Sequence, residues 1–127
     1  MKKLTILVAL TALGGCFGEN HYEKQADTVT KALIANDMRP VEPDFNAIVR
    51  PKLLNHAHVG ELSDQLNALG TFKTVHETTP KDAPQGQHTF DAVFARGTWK
   101  EVMTIDSDGK IASFYVRPPS ANETGTQ

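Results

Sequence analysis

The chain has 127 residues, with 13 Lys and Arg against 15 Asp and Glu, a formal net charge of −2 and one cysteine. A single cysteine excludes an intramolecular disulfide. No basic stripe is present, so nucleic acid is not an expected partner. Hydrophobic residues make up 39% of the chain, an ordinary fraction for a folded domain, which argues against wholesale disorder.

The first residues follow the order of a secretory signal. Lys2 and Lys3 form a cationic start, residues 4–13 are uncharged and largely apolar, and two small residues precede Cys16. The apolar run has 10 residues, about half of the ~20 that a membrane-spanning helix needs. The pattern therefore predicts a cleaved export signal rather than a permanent transmembrane helix.

The sequence Leu13-Gly14-Gly15-Cys16 resembles the lipobox of bacterial lipoprotein precursors. The resemblance implies cleavage between Gly15 and Cys16, a diacylglyceryl thioether on Cys16 and an acylated new N-terminus. Two or more acyl chains anchor a protein stably to a membrane. An ordinary signal with a coincidental cysteine is the alternative, but a free thiol is unusual in an oxidising compartment. In a Gram-negative source, Phe17 in place of Asp favours the outer membrane, at its periplasmic face or the cell surface.

Cleavage would leave 112 residues with 11 Lys and Arg against 15 Asp and Glu, a net charge of −4. This length suits one domain with a single core. We divide the chain into a signal peptide (1–15), a lipidated tether (16–21), a folded domain (22–118) and a polar tail (119–127) that we expect to be disordered.

Residues 22–38 are predicted to form an amphipathic helix, because four apolar residues recur at spacings of four, three and four. These are Tyr22, Ala26, Val29 and Leu33. The prolines at positions 40 and 43 are expected to end this helix. Asp44 is a candidate cap for a short helix over residues 44–49, and Pro51 suits the start of a further turn. Residues 59–69 predict another helix, with Gly70 at its C-terminal cap.

After Gly70 the hydrophobic period changes from helical to alternating. A β-strand is predicted over residues 71–79, followed by a polar loop over 80–87. Two alternating series follow around an Arg96-Gly97 turn: Phe90, Ala92 and Phe94, then Trp99, Glu101, Met103 and Ile105. Residues 106–110 form a hairpin turn with an Asp-Gly pair, and residues 111–117 a fourth strand. The fold class is α+β, with N-terminal helices packed on a curved four-stranded antiparallel sheet.

This arrangement resembles the NTF2-like and cystatin-like folds. More narrowly, five segments resemble an uncharacterised domain of bacterial lipoproteins that also occurs beside β-lactamase-like or α/β-hydrolase serine hydrolase domains. They are residues 70–72, residues 89–94, Gly97, residues 106–112 and residues 116–118. The resemblance covers most of residues 22–118 and implies no catalytic residues. The chain contains no Gly-x-Ser-x-Gly motif of its own, and its Ser-x-x-Lys spacing, from Ser107 to Lys110, falls in the predicted hairpin turn.

A candidate pocket lies between the predicted helices and sheet, lined by Glu101, Trp99, Phe90 and Phe94. Glu101 shares its strand face with Trp99 and is the one acid that the alternation places on the buried face. Burying a lone carboxylate is unfavourable, so we favour a Glu101 near the strand end or paired with a basic side chain. Trp99 is either a partner-binding anchor or, as we favour, a residue that fills the core.

We expect no metal or other cofactor. His56 and His58 would point the same way on an extended segment, and His76 and His88 lie on the first two strands. None of the tight ligand patterns of zinc sites is present, so solvated loop histidines are favoured. The turn over residues 106–110 has acids at alternate positions, as a calcium loop does, but lacks the later ligands.

These observations favour a non-enzymatic, membrane-anchored domain that binds a protein, peptide or small ligand. Two alternatives remain open. One is a small enzyme whose pocket lies between helices and sheet, and the other is an inhibitor or immunity-type protein directed at a hydrolase. A deep pocket with a buried acid or histidine would favour the enzyme, whereas an exposed apolar patch would favour the binding domain.

Overall fold

The computed structural model describes residues 20–53 and 55–119. The helical elements are α1 (His21–Ile34), a 3-10 helix (Arg39–Asp44), α2 (Arg50–Leu53) and α3 (His56–Asn67). The strands are β1 (Phe72–Glu77), β2 (Gln87–Phe94), β3 (Gly97–Ile105) and β4 (Ile111–Arg117). The predicted signal peptide, the tether as far as residue 19 and the tail from residue 120 lie outside the described residues. At the tether's end, residues 20 and 21 already belong to the start of α1.

The four strands form one antiparallel sheet in the order β1-β2-β3-β4. The predicted α+β class and the four-stranded antiparallel sheet are therefore confirmed. Helix α1 packs against β1, β2 and α3. The core lies between these helices and one face of the sheet, and its most buried large side chains include Phe45, Phe90, Leu66, Met103 and Ile111.

Helix α1 ends at Ile34, four residues before the predicted end. Asn36 adopts φ = 57°, a left-handed conformation that asparagine tolerates better than most residues. The Asp37 N–H then donates to the Ala32 carbonyl at 3.0 Å. The helix is therefore closed by Asn36, and Met38 is buried in the connection that follows rather than on the helix.

The short helix predicted over residues 44–49 is wrong. Pro40 lies in the first turn of the 3-10 helix, where the first residues need no backbone donor, and Pro43 lies inside the helix. Phe45 is extended (ψ = 150°), and Asn46 organises the next turn. Its Oδ1 accepts from the backbone N–H groups of Ile48 and Val49 at 3.1 and 3.0 Å.

Helix α3 begins three residues before the predicted start. The Asn55 side chain accepts from the His58 N–H at 3.2 Å and caps the helix. At the other end, Gly70 adopts φ = +85°, but two residues beyond the actual cap at Ala68. The helix is joined to the end of α1 by polar contacts, since Ser63 Oγ and Asn67 Nδ2 each donate to the Ile34 carbonyl at 3.0 Å.

Candidate functional site

An apolar cleft of about 290 Å³ opens between β4 and the helical layer. Residues 112–115 of β4 form one wall. The other walls come from α1, α2, α3 and the connections between them, including Val29, Phe45, Val49, Leu53 and Leu62. These aliphatic and aromatic side chains make the cleft a candidate ligand site.

Asn46 fixes the position of the cleft. Its backbone N–H donates to the Ile111 carbonyl at 3.0 Å, and Phe45 forms an isolated parallel bridge with Ile111. The Asn46 side chain also donates to Asp106 Oδ2 at 3.2 Å. These contacts hold the chain against the start of β4 and direct α2 and α3 across the helical face, which leaves a gap beside the rest of β4.

Two large apolar residues in or next to the segments that line the cleft are open to solvent. Among the described residues, the exposed large hydrophobics are Ile48, which is 77% exposed, and Tyr115, which is 63% exposed. Tyr115 borders the cleft at the edge of β4, with its side chain on the sheet face opposite the helices, and Ile48 directly precedes the lining residue Val49. Single exposed apolar residues are ordinary on protein surfaces, so the case for an interaction site depends on the apolar lining of the cleft itself.

The lining of the cleft includes residues with basic side chains. Among the described lining residues are Lys52 and His58, and none is an aspartate or glutamate. Lys52 and His58 are both exposed to solvent. A ligand that combines apolar groups with a negative charge would therefore find complementary partners in this cleft.

Glu101 lies apart from the cleft. It is completely buried (0% exposed) and is not among the cleft-lining residues. The favoured interpretation, a carboxylate near the strand end or paired with a basic side chain, is wrong. The partner is Thr30 on α1, whose Oγ1 lies 2.5 Å from Glu101 Oε2, while Oε1 has no hydrogen-bond partner. A depression on the other side of the sheet includes position 101 in its border, but the residue has no exposed surface there.

The hydrogen-bond geometry around Thr30 can accommodate a protonated Glu101. Thr30 Oγ1 lies 2.8 Å from the Ala26 carbonyl as well as close to Glu101. A hydroxyl has one proton and can donate to only one of these acceptors. If Glu101 is protonated, its O–H donates to Thr30 and Thr30 donates to Ala26. Burial raises the pKa of Glu101 to about 8, the Thr30 contact opposes this, and the charge of Asp27 adds to it.

The other predicted pocket residues belong to the core. Phe90 and Phe94 are buried against the helices, and Trp99 is half-buried and packed against the same core. Asp91 faces the other side of the sheet, where it pairs with Lys100 across the strands at 2.8 Å. None of the four predicted pocket residues lines the apolar cleft.

The histidines are not gathered into one site. His56 and His58 lie in the first turn of α3 and not on an extended segment. His76 is exposed on β1. Within residues 20–53 and 55–119, no group of three potential ligands is placed to hold a metal ion. The turn at Asp106 binds its own backbone, because Oδ1 accepts from Asp108 and Lys110 N–H at 2.9 Å.

His88 belongs to a cluster that fixes the start of α1. Its Nδ1 lies 2.8 Å from Glu77 Oε2, and its ring stacks on Tyr22 with centroids 3.8 Å apart. Asn20 caps α1 and donates to Glu77 Oε1 at 2.8 Å. Burial raises the pKa of Glu77, but hydrogen bonds from Thr79, His88 and Asn20 outweigh it, so the pKa is lowered. The point where the chain enters the domain is thus attached to the sheet.

Sequence reasoning missed the residues that form the cleft. Phe45, Val49 and Leu53 fall in a segment without a clean helical or alternating period. The available signal was that irregularity: an apolar stretch interrupted by prolines and an asparagine, which fits neither a helix nor a strand.

No protein-family model, curated protein or solved structure matches this chain. In the part of the chain that the structure describes, no helix is both long and apolar enough to cross a membrane.

Proposed function

We propose that this chain is an exported lipoprotein, held at a membrane by lipid on Cys16, whose domain binds a ligand or partner without catalysing a reaction. The observation that carries the binding function is the apolar cleft beside β4, whose border includes the exposed Tyr115. Apolar surface left open to water around a concave site is unfavourable in isolation and is covered when a ligand binds.

The anchoring part of the proposal depends on the lipobox-like residues before Cys16. Helix α1 begins at His21, five residues after Cys16. Five extended residues span at most ~18 Å, so an acylated Cys16 would keep the domain near the membrane surface. The proposed location is the outer membrane, at its periplasmic face or the cell surface, if the source is Gram-negative.

The proposed fold relationship is to NTF2-like or cystatin-like domains. Its support is the order of elements, in which helices precede a four-stranded antiparallel meander and pack on one of its faces. The cleft lies between the helices and the sheet, where a pocket on such a scaffold is expected.

The enzyme alternative has less support than the binding function. An acid–base site needs a titratable group that reaches the substrate, and Glu101 is buried away from the cleft. No described residue favours an inhibitor directed at a hydrolase over another kind of binding protein.

Replacing Cys16 with serine tests the anchor. A serine hydroxyl cannot form the thioether, so we expect Cys16→Ser to move the protein from the membrane pellet to the soluble fraction after cell lysis. Phe17→Ala, a change beside the cysteine that leaves the thiol in place, is the control and should stay in the pellet. Retention of Cys16→Ser in the pellet after a high-salt wash would disprove lipid anchoring.

The cleft can be tested with an apolar anionic dye, 1-anilinonaphthalene-8-sulfonate, added to the Cys16→Ser chain without detergent. We expect dye fluorescence to report binding, and Leu53→Gln to weaken it about fivefold because a cleft wall loses apolar surface. Leu69→Gln is the matched control, since Leu69 is also half-buried but does not line the cleft. If both variants lost the same dye affinity, or if the dye did not bind at all, the cleft would not be the binding site.

A further inference from the structure

Strand β4 is an open sheet edge along most of its length. On one side it pairs with β3. On the other side Asn46 and Phe45 contact it at Ile111. From residue 112 to 117, no backbone group in the described ranges pairs with that outer side. An edge strand presents unpaired N–H and C=O groups outward, so this edge can accept one more strand.

The open edge and the apolar cleft coincide. Residues 112–115 line the cleft, opposite Val49, Leu53 and Leu62. A strand added beside β4 would lie about 4.8 Å from it, with side chains alternating between the two faces. One set would enter the cleft on the helical side. The other set would lie beside Tyr115, which the register places on the opposite face with Val102.

The charge of the cleft indicates what else the occupant carries. Lys52 and His58 line the cleft, no described lining residue is acidic, and Lys52 forms no ion pair with any described residue. The mature chain would be acidic overall, with 15 Asp and Glu against 11 Lys and Arg. A basic rim, formed by Lys52 and His58, on an acidic protein favours a ligand with an acidic side chain or a free carboxyl end.

We infer that the cleft binds an extended peptide segment of a partner protein, which adds a fifth strand to the sheet beside β4. Alternate apolar side chains of the peptide enter the cleft, and a carboxylate of the peptide approaches Lys52. This is β-strand addition, in which backbone hydrogen bonds supply affinity and side-chain pockets supply specificity. The inference rests on the proposed binding function and names the class of ligand.

The free backbone groups of β4 distinguish a peptide from a fatty acid. An alkyl chain in the cleft would remove water from these N–H and C=O groups without replacing its hydrogen bonds, which is unfavourable. A peptide backbone replaces these hydrogen bonds.

The chain's own residues 118–127 fit the cleft poorly, because they begin with two prolines and contain one apolar side chain, Ala121. A second copy would bring its own basic rim toward the first.

A synthetic library of random heptapeptides with free carboxyl ends, selected on the immobilised Cys16→Ser chain, tests the inference. We expect the selected peptides to carry apolar residues at alternate positions together with an acidic residue or carboxyl end near one terminus. Methylating single backbone nitrogens of the best peptide should weaken binding about tenfold at every second position and little between them, because only alternate amides face β4.

Two charge-reversal variants provide the matched control. Lys52→Glu should weaken the peptide about three- to tenfold, whereas Lys73→Glu, on the opposite edge strand β1, should leave binding unchanged. A methylation profile without a period of two would overturn strand addition. So would a chain that sediments as a dimer with the cleft closed to peptide.

The result also separates this inference from the proposed function. Decanoate, a fatty acid anion, and the dye are tested on the same chain. If either of them binds but no peptide is selected, the cleft is a site for small amphiphiles and the inference of a peptide ligand is overturned. Failure of dye, decanoate and peptides alike would overturn both proposals.

Discussion

Glu101→Gln is expected to make the domain more stable than the wild type at alkaline pH and to remove most of the pH dependence of its stability. In the unfolded chain this carboxyl has its ordinary pKa of 4.5, and in the folded protein burial raises the pKa to about 8. Between these values the folded state holds a proton that the unfolded state has released. The free energy of unfolding then falls with rising pH.

The size of this effect follows from the separation of the two pKa values. Each pH unit changes the free energy of unfolding by about 1.4 kcal/mol, so the window from pH 4.5 to 8 corresponds to about 5 kcal/mol. The contribution of Glu101 is fully present below pH 4.5 and is lost by about pH 8. For a domain whose total stability is on the order of 5–15 kcal/mol, this is a large fraction.

Urea denaturation of both proteins at pH 5, 7 and 8.5 measures the difference. Glutamine preserves the shape of Glu101, does not ionise and can donate to Thr30 Oγ1, so the two proteins should be similar at pH 5 and diverge as the pH rises. Glu61→Gln, a change at an exposed glutamate on α3, should follow the wild type throughout. If the curves of wild type and Glu101→Gln run parallel across this range, the neutral buried acid is disproved.

Phe45→Ala is expected to lower the free energy of unfolding by about 3–5 kcal/mol, the range for truncating a buried phenylalanine. Phe45 is 1% exposed, lines the cleft and sits beside the start of β4. Removing its ring enlarges the cleft, so dye affinity should change along with stability. Urea denaturation and dye titration of the Cys16→Ser background measure the two effects.

Phe90→Ala is the matched control for Phe45→Ala. Phe90 is equally buried but does not line the cleft, so we expect a similar loss of stability with unchanged dye affinity. If either alanine variant is too unstable to titrate, Phe45→Leu and Phe90→Leu provide the same comparison with a smaller loss of volume. Equal changes of dye affinity in both variants would contradict the assignment of Phe45 to the cleft.

The sheet could be predicted because each of its strands is specified locally. Alternating apolar residues mark β2 and β3, and the Asp-Gly pair before Lys110 marks the hairpin. In the folded protein, Gly109 has φ = +80° and Asp106 Oδ1 accepts from two backbone N–H groups within the turn. Periodicity and turn chemistry act over a few residues, so they can be read without knowing the tertiary contacts.

The helix boundaries were less predictable because capping residues decided them. Asn36 ends α1 and Asn55 begins α3, and asparagine is common in loops as well as at caps. Gly86 is a similar case. It adopts φ = +83°, and a Cβ at this position would lie 2.7 Å from the Ile105 carbonyl oxygen. The need for glycine arises from the neighbouring strand, which local sequence does not reveal.

The sequence by itself determined the α+β class, the four antiparallel strands and the side of the sheet on which Phe90, Ala92 and Phe94 lie, since these follow from local periods. Cleavage and acylation at Cys16 stay predictions. Only the tertiary structure decided that Glu101 is buried and that its pKa is raised, because its partner Thr30 is 71 residues away. It also placed the cleft, because a contact between Asn46 and Ile111 holds distant segments together and leaves the edge of β4 open.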